Sequence, residues 1–165
     1  MSLVSPTMRA GVGSQIARRV SHRISAGDIR RWAIAVYWPE EPPMEFVAED
    51  EALVAPEEFN PFAWHMAENE VHPAASAVSK NDPDRTEKQL GIDGPGLRFM
   101  LNGGMKAVYG ERMRMGDVIT SVVRLGPYTE REGRHGPMLI SITVDTWTNQ
   151  RGQHVKTVES TLIRY

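Results

Sequence analysis

The five histidines, His22, His65, His72, His135 and His154, are the side chains of this sequence best suited to move a proton near neutral pH. None stands in an HExxH pattern or in a paired His/Cys spacing that would hold zinc. The chain has no cysteine, which excludes a disulfide, a thiolate metal site and a cysteine nucleophile. There is no GxSxG elbow and no P-loop, and neither Gly94-Pro95-Gly96 nor Gly103-Gly104 makes the GxGxxG fingerprint of a dinucleotide site. Neither a metal nor a cofactor is therefore expected. His65, between Trp64 and Met66, is either a general base or a half-buried histidine with satisfied nitrogens, and its apolar flanks favour the second reading.

Any such group must be positioned by the elements around it, and the clearest of these lie in the C-terminal part. Residues 97–109, 116–125, 136–152 and 154–165 read as β-strands closed by punctuation. In the third, Met138, Ile140, Ile142, Val144 and Thr146 share one face and Ser141, Thr143 and Asp145 the other, an alternation that calls for a sheet with one face buried. Asn149-Gln150-Arg151-Gly152 supplies a tight reversal, with Gly152 free to take a positive φ. Asn102-Gly103 reads as a hairpin turn or, with Gly104, as strand that another backbone or a ligand approaches closely.

Upstream, the first dozen or so residues lack a period, so 1–14 are expected to be loose, and 20–24 read as a short strand. Ser25 and Asp28 have capping-box spacing, and Ile29, Trp32, Ala33 and Val36 then make one apolar helical stripe that Pro39 ends. Residues 39–58 are acidic and proline-rich, as a solvated connection would be. Asn60-Pro61 predicts the start of a second helix with Phe59, Phe62, Ala63 and Met66 as its apolar stripe. Residues 69–96 hold few large apolar side chains and are expected to be the most mobile internal segment.

With 165 residues, 41% hydrophobic and 24% charged, the chain has the length and composition of one globular domain, read here as 1–165. A net charge of −2 argues against a nucleic-acid footprint. No apolar run is long enough to span a bilayer, and no secretory signal is visible, so a soluble cytoplasmic protein is expected.

Several stretches taken together, 25–36 (SAGDIRRWAIAV), 55–64 (APEEFNPFAW), 101–120 (LNGGMKAVYGERMRMGDVIT) and 130–164 with its GRHGP, TNQRG and TLIR, resemble one family. It is the N-terminal type of MaoC-like dehydratase domain, also called the type-I fatty-acid-synthase-like dehydratase domain. The resemblance implies an α+β hot-dog fold, a curved antiparallel sheet wrapped around a central helix. It also implies acyl-thioester substrates on coenzyme A or acyl carrier protein, (R)-specific enoyl-thioester hydration or the reverse dehydration, and pairing with a second MaoC-like hot-dog chain or with itself.

Catalytic members of the wider family carry GDxNPxH after the first helix, where this chain reads Trp38-Pro39-Glu40-Glu41-Pro42-Pro43-Met44-Glu45. Setting Pro43 on the motif's proline places Glu40 at the aspartate and Glu45 at the histidine. An exposed glutamate is ionised near neutral pH and has no proton to donate, so the two share acid/base work only if burial raises one pKa. Glu40, Glu45 and His65 are the catalytic candidates, and Asn60, Phe62, Asn102, Gly103 and Gly104 the substrate-binding ones. The competing readings are a non-catalytic acyl-thioester-binding homodimer and a hot-dog thioesterase, the latter with Glu57, Glu58 or Glu68 near the thioester. Arg98, Lys106, Arg112 and Arg114 are either carrier-phosphate contacts or scattered surface cations.

Overall fold

The computed structural model describes residues 2–49, 53–63, 78–79, 81–134 and 136–165, and the backbone alone of 68–71. Six strands, β1 (Gln15–Val20), β2 (Glu68–Val71), β3 (Met100–Tyr109), β4 (Ile119–Gly133), β5 (Gly136–Asn149) and β6 (His154–Arg164), form one sheet in the order β2-β1-β4-β5-β6-β3. Every pairing is antiparallel. Among the described residues the helices α1 (Pro6–Ala10), α2 (Ala26–Tyr37) and α3 (Arg85–Lys88) accompany it, with a 3-10 turn at Met44–Phe46. The ladders slip at Gln15/Ala17, Asn102/Gly104, Leu125/Tyr128 and Trp147/Thr148, and such bulges bend a strand and deepen its twist.

Opposed residues of an antiparallel ladder project to the same side, so the registers sort the sheet into two faces. Arg19, Ser121, Trp147, Lys156 and Tyr109 form one row across an inner face, and Tyr128, Ser141, Leu162 and Asn102 another. Period two in β5 is as expected, but the residues it buries are Leu139, Ser141, Trp147 and Asn149. Met138, Ile140, Ile142 and Val144 are only half-buried on the outer face. The helices explain this. Ile29 of α2 packs with Ile119, Trp147 and Val155 at one end of the inner face, and Met8 of α1 packs with Leu139 at the other.

Local sequence sets each helix. The Ser25 hydroxyl accepts from the Asp28 amide at 3.1 Å, and the Asp28 carboxylate accepts from the Ser25 amide at 3.2 Å, the reciprocal cap expected of this spacing. Ile29 and Ala33 are fully buried, and complete burial of the isoleucine contributes about 1.5–3 kcal/mol. Val36 is exposed, because beyond Ala33 the helix leaves the sheet and its neighbour is the 3-10 turn, where Tyr37 stacks on Phe46. The first residues are not loose: Ser5 caps α1, and Val4 and Met8 are buried. The strand expected over 20–24 lies earlier, at β1, because 15–20 pair with β4 while the Ser21 hydroxyl turns to accept the Ile119 amide.

Three further expectations change. The 39–58 stretch is not merely solvated, since Phe46, Leu53 and Ala55 are buried in it. The Asn60 side chain does accept from the Phe62 amide at 3.0 Å, but 61–63 form a turn and 68–71 are strand paired to β1, so the predicted helix is not present in the described part of this stretch. Within 69–96, α3 is anchored from inside. Its Glu87 is fully buried and takes both terminal nitrogens of Arg164 at 2.7 and 2.8 Å, while the Tyr128 hydroxyl donates to the same carboxylate at 2.7 Å. Asp84 completes the cluster by accepting from Arg164 and from the Gly96 amide, with Gly94 so close that a Cβ there would overlap the carboxyl group. Burial, then the bond to Glu87, pushes the Tyr128 phenol above its ordinary pKa.

Candidate functional site on the inner sheet face

Between the two covered ends, the inner face is lined by polar side chains of strands far apart in sequence. Ser141 and Thr143 of β5, Ser160 and Leu162 of β6, Asn102 and Met105 of β3 and Thr86 of α3 border an open groove of about 540 Å³. One row beyond Thr143, Asp145 accepts from the Ser121 hydroxyl at 2.7 Å and from Arg19 Nη2 at 3.1 Å. The same Nη2 lies 3.2 Å from the Ser121 oxygen. The guanidinium stands 4.6 Å above the Phe62 ring, which meets Trp147 edge to face at 5.2 Å. Trp147 is buried, and among the described residues its Nε1 has no hydrogen-bond partner. Beyond it, the largely buried Lys156 ammonium lies over the Trp147 and Tyr109 rings and pairs with Glu58 at 3.1 Å.

The candidates from sequence are placed as follows. Glu40 is exposed directly after α2, and Glu45, also exposed, pairs with Arg112 at 3.3 Å. Neither carboxylate has the burial that acid/base sharing requires. His65 lies outside the described residues. Phe62 joins the inner face beneath Arg19, whereas Asn60 spends its side-chain oxygen on the turn. The Asn102-Gly103-Gly104 run is strand interior, not a hairpin: Asn102 Oδ1 accepts from the Gly104 amide, whose residue takes φ 111°, so the bulge needs its glycine. A Cβ on Gly103 would come within 2.7 Å of Thr161 Cγ2. That is the close approach the double glycine signals, made by a neighbouring strand.

Of the remaining candidates, Glu57 is exposed, Glu58 holds Lys156, and the Glu68 side chain lies outside the described residues. Arg98 lines a second depression of about 680 Å³ beside the stacked rings of Phe99 and Tyr165, Lys106 is exposed on β3, and Arg112 faces Glu45 and Phe46. Arg114 is exposed and forms the isolated bridge with Val54. Among the described residues no group of three or more His, Cys, Asp and Glu is placed to hold a metal ion, and no helix is long and apolar enough to cross a membrane.

Arg19, Ser121 and Asp145 escape sequence reasoning because 102 and 24 residues separate the neighbours in the trio. The available signal was the polar row of β5 set between Leu139 and Trp147. The most specific motif pieces have a structural role. The buried Asp117 of Gly116-Asp117 accepts from the Arg114 amide and, at 3.0 Å each, from the Gln150 and Arg151 side chains of the 149–152 turn.

Solved structures of similar fold include the MaoC-like dehydratase from Rhodospirillum rubrum, at 18% identity over 93% of this chain and 92% of that one, with a TM-score of 0.51. The ChsH1-ChsH2 complex from Mycobacterium tuberculosis aligns at 15% identity over 96% of this chain and 87% of that one, with a TM-score of 0.62. The truncated HadBC (3R-hydroxyacyl-ACP dehydratase) complex from the same organism aligns at 20% over 90% and 95%, with a TM-score of 0.52. A search of curated proteins found no match. The curved antiparallel sheet and its helices are a hot-dog fold, and, matching over residues 10–158, the chain belongs to the family described as FAS1-like, dehydratase domain region.

Proposed function

We propose that the chain is one hot-dog subunit of an (R)-specific enoyl-thioester hydratase or 3-hydroxyacyl-thioester dehydratase, acting with a second hot-dog chain that supplies the Asp/His pair. One observation carries this reading. The stretch aligned with the family's dyad holds two exposed glutamates, one paired with Arg112, while the sheet and its inner groove are intact. Hydration needs a base for water and an acid for the α-carbon, and a well-placed acid/base contributes about 10²- to 10⁴-fold. The edge strand β3 supports pairing, because it exposes Leu101, Met105 and Val108 beside a backbone edge that no described strand covers.

The test is loss of enoyl absorbance from crotonyl-CoA and longer enoyl-CoA. The lone chain should turn over poorly or not at all, and co-expression with a dyad-bearing hot-dog chain should restore activity that depends on that partner's aspartate and histidine. Robust hydration by the lone chain that survives both Glu40→Gln and Glu45→Gln rules out the partner-dependent reading.

A further inference from the structure

Resting on the acyl-thioester reading, we infer that Arg19, held by Asp145 and Ser121 over Phe62, binds the carbonyl oxygen of the substrate thioester on the inner sheet face, beside the Trp147 indole N–H. The guanidinium is fixed on three sides. Asp145 holds Nη2 at 3.1 Å, the Ser121 oxygen lies 3.2 Å from the same nitrogen, and Phe62 supports the plane from below at 4.6 Å. A guanidinium carries five N–H donors in a rigid fork. Among the described residues only Nη2 of Arg19 is engaged, and 34% of the side chain is accessible.

Asp145 is itself prepared for this task, because Ser121, a fully buried hydroxyl, donates to its other oxygen at 2.7 Å. Asp145 and Ser121 are therefore positioning residues and Arg19 is the group that meets the ligand. Trp147 supplies the independent observation. Among the described residues its buried Nε1 has no hydrogen-bond partner, and a buried donor left unpaired is destabilising. Such a group calls for an acceptor.

The sign and number of donors define the ligand. Arg19 and Asp145 cancel in charge, so the pair offers N–H groups without net charge, which suits a neutral acceptor such as a thioester carbonyl better than a carboxylate. The groove provides the approach, since Thr143, on its wall, is the next residue of β5 on the same face as Asp145. A thioester entering beside Thr143 and Ser160 meets Asp145 one row further in, where that carboxylate holds the Arg19 guanidinium.

The experiment compares two probes on the full chain by calorimetry: butyryl-CoA, and S-butyl-CoA, the thioether that lacks the carbonyl oxygen. A hydrogen bond to a charged donor predicts that butyryl-CoA binds about tenfold tighter or more. Arg19→Gln should bring the two affinities together by weakening butyryl-CoA alone, and Arg19→Lys should recover part of the difference. Nitrogen NMR of the arginine side chains in the unsubstituted protein should show the Arg19 signal moving with butyryl-CoA and not with S-butyl-CoA, which needs no variant to fold. Equal affinity for both probes, or a difference that Arg19→Gln leaves intact, overturns this inference while sparing the acyl-thioester reading. Binding of neither probe overturns both.

Discussion

At the scale of the residue, Asp117 shows how a conspicuous motif is spent on structure. Its carboxylate ties the Arg114 amide to Gln150 and Arg151, so the loop before β4 and the β5–β6 turn are held by one buried side chain. Asp117→Ala removes all three bonds of a buried carboxylate, which predicts a loss of about 2–4 kcal/mol. For a domain of this size that is a fall in Tm of about 4–15 °C, read from a thermal melt. Gln150→Ala removes one of these bonds and the one its Oε1 accepts from the Val118 amide, both from an exposed partner, and should cost less. The Ser25–Asp28 cap was legible in the sequence because both partners lie within one helical turn. Asp117 with Gln150, or Arg19 with Asp145, was not, because only the sheet register brings such residues together.

Among the elements, α3 and the end of β6 are joined by the buried Arg164–Glu87 pair, with Asp84 and Tyr128 around it. Glu87→Ala leaves a fully buried guanidinium short of its main partner and should destabilise the fold by about 3–5 kcal/mol, whereas the double change Glu87→Leu with Arg164→Met should cost clearly less. Urea titrations of both single variants and the double variant decide this, and a double-variant loss equal to the sum of the two single losses would show that the pair is not coupled. The same anchoring argues that trypsin does not cut first at Arg85 or Lys88, despite the apolar-poor sequence around them.

Tyr128 adds a pH dependence. Its phenol pKa is raised on folding by burial and by Glu87, so the folded state favours the neutral form. The stability it contributes is fully present below the unfolded value of about 10 and is lost as the pH rises above that. Tyr128→Phe should flatten the alkaline limb of stability between about pH 9.5 and 11.5. The polarity of β5 carries the related lesson about legibility. Alternation tells which residues share a face, but only the packing of α1, α2 and α3 decides that the face with Ser141 and Asp145 is the covered one.

At the scale of the whole molecule, the sheet ends on an edge that a stable monomer would be expected to protect. Among the described residues β3 is hydrogen-bonded to β6 alone, and along it Leu101, Met105 and Val108 are at least half exposed, with Phe99 just before it. Natural sheets cover, charge or shorten such an edge, and pairing with another chain covers both its backbone and its side chains. Light scattering after size exclusion should therefore give a mass at least twice the 18.5 kDa of the chain at micromolar concentration. Met105→Lys, with 71% of the side-chain-bearing residue already exposed, introduces a charge without disturbing the core. It should shift the protein toward the monomer while circular dichroism stays that of the folded sheet. A clean monomer from the unsubstituted chain would remove the case for β3 as a contact surface. A dimer that Met105→Lys leaves intact would move the contact to another surface, of which the half-buried apolar row of β5 on the outer face is the next to test.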